Sequence, residues 1–521
     1  MRQIGFKNFR KFENFPAIDL APITIFVGEN NAGKSTVVKA ILSILDFVSS
    51  QYFSMERGET GKDILNQRFY FNKTYFAHIG TFKRALYNKS TDGIITLSMT
   101  LDDIKFDIEV FGDSSDEEAI SGKVRKLTLT ILRWNINIEF DFEKDQIHAV
   151  FHNEPHPMYI IDEDVADMPK NRRKASKKEL EEYFKSVPED AELTTSISGY
   201  SGMIGGSLID CLLYRFTTKI EATIDTAEET EKARTDSRPQ KIEGLSEEMF
   251  LFIEKNKEIF SRFGLLGMPY SYRLMHKSSI EYIYAHAVTQ TIIYSAKDIN
   301  DYFVKTVHEY ANQKISKDSK IHQFVTHWME QFGIGSNYEL QSVGGEAHLV
   351  KIYSKDEPYV NLADKGMGSI QLMILLFRLA TKMAEQSFDL RHLPNSGVTI
   401  IVEEPEQNLH PMLQSKLADL FYKLNQEFGF KFIIETHSEY LVRRSQVLVA
   451  KENKKASFEN KKWQNPFKVF YFPANGYPYD MEYATDGYFE KPFGKGFFNV
   501  SSELSLDLDR IEQGAYNEGQ D

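Results

Sequence analysis

Three groups of residues could do chemistry. Gly28, Gly33, Lys34 and Ser35 fill the pattern G-x-x-x-x-G-K-[ST] within GENNAGKST. There the glycines let backbone N–H groups wrap phosphates, the lysine reaches the β- and γ-phosphates, and the serine hydroxyl holds Mg2+. Glu403 and Glu404 follow the apolar run Val398–Val402, so a buried strand delivers two carboxylates at its end. Glu403 suits direct or indirect coordination of Mg2+, and Glu404 suits polarising an attacking water. Phe432, Ile433 and Ile434 end similarly in Glu435, Thr436 and His437, with Ser438 able to cap a helix starting near Glu439. A histidine at such a strand tip can reach a γ-phosphate. The three groups together imply that a nucleoside triphosphate is bound and cleaved.

Positioning these residues requires particular elements. Ile23–Val27 reads as a buried strand, and Val37, Val38, Ala40, Ile41, Ile44 and Leu45 recur at helical spacing behind the glycine loop. Short strands are expected at Arg2–Phe6 and about Ala17–Leu20. From Gly93 the period becomes two, as in Leu127/Leu129/Ile131 and Ile136/Ile138/Phe140, which predicts antiparallel strands with one buried face. Gly366 and Gly368 precede Ser369, Gln371 and a strongly apolar helix, so a second helix N-terminus is open to a phosphate. Glu406, Asn408 and His410 fall on the turn after the paired acids. Tyr302, Val304, Val307, Tyr310 and Ala311 form a helical stripe, and Ile280–His286 reads as a strand. His286 either lines the nucleotide site or is a structural histidine.

The expected fold class is α/β: a P-loop NTPase head with a mixed sheet, an antiparallel β-meander and a mostly helical insertion. The expected division is 1–153 for the first lobe, 154–335 for the insertion and dimerisation region, and 336–521 for the second lobe. The insertion carries an acidic patch (Asp162, Glu163, Asp164), a basic run (Lys170–Lys178) and a polar stretch (Thr226–Lys241) expected as a loop. The basic run is either a phosphate-contacting patch or a solvated helix start, since Glu179, Glu181 and Glu182 follow it.

The 521 residues, 42% of them hydrophobic, are enough for two or three packed units. A single cysteine, Cys211, excludes an intramolecular disulfide or a cysteine-built zinc cluster and points to the cytoplasm. A net charge of -13 argues against broad non-specific nucleic-acid binding, though a local basic groove stays open. No run approaches about 18 consecutive apolar residues, so no membrane span is expected, and no heptad pattern persists as a long coiled coil.

The order of P-loop, glycine-rich helix start, paired acids after a strand, and strand-tip histidine resembles the ABC-type ATPase heads, closest to the RecF, SMC and OLD branch. Within it, NFRKF (Asn8–Phe12), GENNAGKST, ADKGMGSIQ, VEEPEQNLHP and ETHSEYLVRR are similar to OLD-like ATPases of bacterial anti-phage defence systems. The resemblance implies that Gly28, Asn30, Asn31, Ala32, Gly33, Lys34, Ser35 and Thr36 hold ATP, with Ser35 and Glu403 on Mg2+. Asp364, Gly366, Gly368, Ser369 and Gln371 would form a signature loop touching nucleotide bound by another subunit. Glu404 would be the catalytic base, His437 the switch histidine, and Arg10 a neighbour of the nucleotide. Glu403 stands where many relatives carry aspartate, so slow turnover is expected.

The resemblance also implies a homodimer closed around two ATP molecules, able to assemble further, that controls a separately encoded effector protein such as a nuclease. DNA or a phage protein is the candidate trigger, and no membrane is involved. Few residues follow His437, and the D-x-D of Asp507 and Asp509 lies among the last fifteen, so no nuclease is expected in this chain. Two alternatives stay open: a RecF- or SMC-like repair ATPase that grips DNA, and an assembly module that binds ATP with little turnover.

Overall fold

The computed structural model describes residues 1–53, 67–72, 79–101, 104–132, 135–152, 191–195, 280–283, 292–298, 301–355, 357–389 and 398–494, with a few isolated positions. The acidic patch at 162–164, the basic run at 170–178, Cys211, the polar stretch at 226–241, His286, Asp507 and Asp509 lie outside the described residues. The chain divides into two compact units, Met1–Asp19 with Ser35–His276, and Leu20–Lys34 with Lys277–Asp521.

The first unit is built on an antiparallel sheet. Its strands are β1 (Gln3–Phe9), β2 (Phe12–Asp19), β4 (Arg68–Tyr70), β5 (Ile94–Leu101), β6 (Ile104–Phe111), β7 (Ser121–Ile131), β8 (Ile136–Asp141), β9 (Gln146–Phe151) and β10 (Ala191–Thr195). They run in the order β10-β9-β8-β7-β6-β5-β1-β2, with β4 on β7. The alternation read from the sequence is the pairing itself: Leu127, Leu129 and Ile131 face Phe140, Ile138 and Ile136, all six buried. β1 and β2 are longer than expected. The register shifts opposite Ile4–Phe6, where three residue steps of β2 from Phe15 to Ile18 span two of β1, and Phe12, Phe15 and Ile18 bury at every third position of β2 instead of every second. Phe6 stacks on Phe15 at 4.5 Å, with Phe9 and Phe12 edge-on to Phe6. Helix α1 (Lys34–Phe53) and the short α2 (Phe82–Ala85) complete the described elements.

In the second unit β3 (Ile23–Gly28) is central. The sheet order is β11 (Ile280–Ile283), β16 (Thr399–Glu403), β17 (Lys431–Glu435), β3, β18 (Phe467–Phe472), β19 (Tyr479–Asp480). The first five strands are parallel and β19 is antiparallel. A second sheet, β12 (Tyr294–Ser295), β13 (Asn337–Val343), β14 (Ala347–Ser354) and β15 (Glu357–Asn361), is a meander that the sequence reading did not pick out. The helices are α3 (Tyr302–Asn312), α4 (Lys320–Gln331), α5 (Met367–Asp389), α6 (Pro411–Phe428) and α7 (Glu439–Phe458). The stripe at Val304, Val307 and Tyr310 packs α3 into one core with α5, α6 and the parallel strands.

Helix α5 has the length and apolarity of a membrane span over Met367–Gln386. It is instead this unit's core helix: Leu376, Phe377, Leu379 and Ala380 are fully buried. Its burial also encloses Arg378, which pairs with Glu281 of β11 and Glu309 of α3, while Lys382 reaches Glu281 at 3.1 Å. The structure thus spends the apolar run on packing and uses paired cations where one face meets carboxylates.

Candidate nucleotide site

The parallel strands bring the motifs to one sheet edge. β3, β17 and β16 are neighbours, Glu403 is in register with Glu435, and Glu435 with Phe26. The glycine loop, the paired acids and the histidine therefore all leave the sheet from its carboxyl-terminal edge, where parallel sheets bind ligands.

Gly28 ends β3 at φ +135, and a Cβ there would stand 2.1 Å from the Phe472 carbonyl oxygen, so only glycine fits. Asn31 (φ 58) and Gly33 (φ 107) curl the loop further. Asn30 and Asn31 are exposed and Ala32 is buried. Lys34 folds back over the loop, donating to the carbonyls of Gly28 at 3.0 Å and Glu29 at 2.8 Å. It is buried. Burial lowers its pKa, opposed by the charges of Glu435, Glu404, Glu406 and Glu29. Among the described residues no ion pair ties Lys34 to these carboxylates; they act on it through space, and the loop carbonyls hold the ammonium. Ser35, exposed, and Thr36, buried, continue into α1.

The acidic turn is tightly held. Glu404 adopts φ 43, a strained conformation for a non-glycine residue, and its N–H donates to the Glu435 carbonyl at 2.7 Å. Gln407 donates to the Glu404 carboxylate. His437 Nε2 stands 3.8 Å from Glu404 Oε1. Burial and the nearby Lys34 charge lower the His437 pKa, with Glu404 opposing, so the ring is held neutral. Ser438 caps α7 as expected, its hydroxyl accepting from Leu441 N–H at 3.2 Å. His410 caps α6, accepting from Met412 N–H at 3.4 Å.

The second glycine motif meets the far end of this turn. A Cβ on Gly368 would lie 2.5 Å from the Asn408 carbonyl oxygen, so the start of α5 abuts the turn backbone. Asn408 also donates to Gln371 Oε1 at 3.2 Å. A Cβ on Gly366 would meet nothing within 4 Å, and Asp364, Gly366 and Met367 are exposed. Ser369 N–H closes on the Gly366 carbonyl at 2.8 Å. The structure brings Lys34, Glu404 and His437 together and places the Gly366–Gln371 segment on the opposite end of the acidic turn. Arg10, expected near the nucleotide, lies in the β1–β2 turn of the first unit, its N–H on the Ala85 carbonyl at 2.7 Å.

Sequence reasoning placed Glu435 at a strand tip and Glu406 on the acidic turn but gave neither a role and did not foresee their burial. Glu435 is 4% exposed and Glu406 8% exposed, although both adjoin turn-like, polar sequence. Their signal was the spacing: each sits within two residues of a residue assigned to chemistry.

A family model described as an AAA ATPase domain matches residues 1–442. The chain belongs to this AAA ATPase domain family. It is a P-loop ATPase of mixed α/β architecture, as its strand–loop–helix at β3–α1 and its parallel sheet require. No curated protein matches it. Among solved structures, it is similar to the Smc head domain with an extended coiled coil bound to the C-terminal domain of ScpA from Pyrococcus furiosus. That similarity has 11% identity and a TM-score of 0.33, covering 98% of this chain and 99% of that one. The SMC head domain from Thermotoga maritima aligns at 10% identity and a TM-score of 0.31, over 92% of this chain and 100% of that one.

Proposed function

We propose that this AAA ATPase domain protein hydrolyses ATP slowly between two copies of itself, and that the closed and open forms control a separately encoded effector in cytoplasmic anti-phage defence. The observation that carries the ATPase reading is the convergence of Lys34, Glu404 and His437 at one sheet edge, with His437 Nε2 3.8 Å from Glu404 Oε1. Lys34 leaves the Gly28 and Glu29 carbonyls to bind the β- and γ-phosphates. Glu404 takes a proton from the attacking water. The new O–P bond forms at the γ-phosphorus as the bond to the β–γ bridging oxygen breaks, releasing ADP and phosphate. Neutral His437 donates a hydrogen bond to the γ-phosphate. Mg2+ carried by the nucleotide supplies neutralisation of phosphate charge, and Ser35 and Glu403 are the hydroxyl and carboxylate offered to it.

The two-copy reading draws on Gly366, whose missing side chain leaves open space on an exposed helix start. Such a surface suits the γ-phosphate held by a second copy. The defence role and the effector rest on the motif resemblance. Mass measurement of the protein with Mg-ATP or a non-hydrolysable analogue tests the sandwich. Doubling of the mass with nucleotide supports it, and an unchanged mass at saturating nucleotide removes it. A DNA gel shift that strengthens with ATP would favour direct DNA gripping instead.

A further inference from the structure

Glu406 is a buried acid that the mechanism above does not use. It lies two residues beyond Glu404, and its Oε1 accepts the backbone N–H of His437 at 2.6 Å. Its Oε2 is buried without a hydrogen bond. The opposite tie is made by Glu404 itself, whose N–H donates to the Glu435 carbonyl at 2.7 Å. Two hydrogen bonds of opposite sense therefore staple the 403–410 turn to the 435–438 loop, one on each side of the Glu404–His437 pair. Burial raises the Glu406 pKa, while the His437 N–H and the Thr436 hydroxyl pull it down. Oε1 can accept the His437 N–H whether the acid is charged or neutral, so the tie does not depend on its protonation.

We propose that Glu406 is the positioning residue of this ATPase: by holding the His437 main chain it sets the spacing of the histidine ring from Glu404. The proposal rests on the ATPase reading. A bond that fixes geometry without touching substrate should act on turnover. The Glu406 charge also bears on Lys34 from a distance, so the two effects are separated by comparing a variant that keeps the acceptor with one that does not. A displacement of roughly 1 Å in a catalytic group can cost about 100-fold in rate.

The test compares Glu406→Leu and Glu406→Gln in the full chain. Leucine fills the space and removes the acceptor, whereas the glutamine amide oxygen can take its place. E406L should lose about 10- to 100-fold in kcat, E406Q should recover most of that rate, and KM for ATP should differ by less than about 3-fold between the two variants, since both remove the same charge. Amide hydrogen exchange across residues 435–438 should quicken in E406L and return towards wild type in E406Q. Wild-type kcat in E406L, or equal loss in E406L and E406Q, overturns the proposal. If the wild-type protein hydrolyses no ATP, the ATPase reading falls by itself. The staple is then read from exchange alone, and unchanged exchange in E406L overturns it.

Discussion

His437 Nε2 faces Glu404 Oε1 across 3.8 Å, each at the end of a different parallel strand. The gap is wider than a hydrogen bond, so the two groups do not neutralise each other. Both are about one-third exposed on their side chains, which leaves them open to water on one side and anchored on the other. The spacing is fixed by the strained Glu404 backbone, by its N–H on the Glu435 carbonyl, and by the buried Glu406 carboxylate that accepts the His437 N–H.

Lys34→Ala should abolish ATP binding. The ammonium is the cation that the glycine loop offers to the phosphates, and without it the charges of Glu435, Glu404, Glu406 and Glu29 stand unopposed near a negative ligand. Truncating one member of a buried charge pair costs about 2–5 kcal/mol in binding, or roughly 30- to 4,000-fold in Kd. Titration with a fluorescent ATP analogue measures the loss, and circular dichroism checks that the variant is folded. Retained affinity would show that the loop binds something other than a triphosphate.

Glu404→Gln should bind ATP and fail to cleave it, lowering phosphate release by about 100- to 10,000-fold as expected for a lost general base. It should accumulate as the nucleotide-loaded dimer, visible as doubled mass with Mg-ATP. Hydrolysis at the wild-type rate would remove Glu404 from the role of base.

The pH dependence follows from the histidines. His437 has its pKa lowered by burial and by Lys34, so it protonates only below the ordinary histidine range, and the rate of ATP hydrolysis should hold level through about pH 6.5 and fall at lower pH. For stability, His322 is buried against the Tyr338 hydroxyl at 3.1 Å and its pKa is likewise lowered. The unfolded chain then takes the proton first, so this contribution is present above the ordinary histidine pKa and is lost as pH falls towards the folded value. Glu309 and Glu406, whose pKa values are raised, act in the opposite sense. Comparing wild type with His322→Gln isolates the histidine, and the variant should lose less Tm than wild type between about pH 7 and pH 5.

The buried charge cluster offers a stability prediction. Arg378 is 7% exposed and pairs with Glu281, itself 7% exposed, and with Glu309. Arg378→Met leaves Glu281 with Lys382 and Glu309 with the more exposed Lys305, and should destabilise the unit by about 3–5 kcal/mol. A lowered Tm without change in the oligomeric response to ATP would locate the effect in the core. An unchanged Tm would mean that the cluster is hydrated enough to tolerate the loss.

The site was legible in the sequence wherever a residue type is forced by local chemistry. Gly28 must be glycine because Phe472 leaves no room, Ser438 caps a helix three residues from its partner, and Glu403–Glu404 end a strand too apolar to be exposed. What escaped depended on distant partners. Glu406 is polar and follows a proline, so nothing local says that the His437 N–H buries it. The β13–β15 meander pairs polar edge positions such as Glu339 with Lys351, which weakens the alternation that revealed Leu127 and Leu129. The burial of β2 at every third position, with its extra residue between Phe15 and Ile18, hid that strand from a search for alternation.

Gly368→Ala tests the sandwich from the side opposite the lysine. The added Cβ would meet the Asn408 carbonyl oxygen at 2.5 Å and the Leu409 side chain at 3.0 Å, so the start of α5 must move off the acidic turn. Lys34 and the glycine loop are held by their own carbonyl contacts and should be unaffected. A single copy should therefore still bind ATP within about 3-fold of wild type, a change worth under roughly 0.7 kcal/mol. ATP-dependent doubling of mass should be lost, and phosphate release with it. The neighbouring change Gly366→Ala meets no atom within 4 Å among the described residues, so it adds bulk to the exposed helix start without a clash there. Loss of nucleotide-dependent assembly in G366A, with Tm and single-copy ATP affinity intact, is the result expected if this surface contacts a second copy's nucleotide. Wild-type assembly in both variants would place the contact elsewhere.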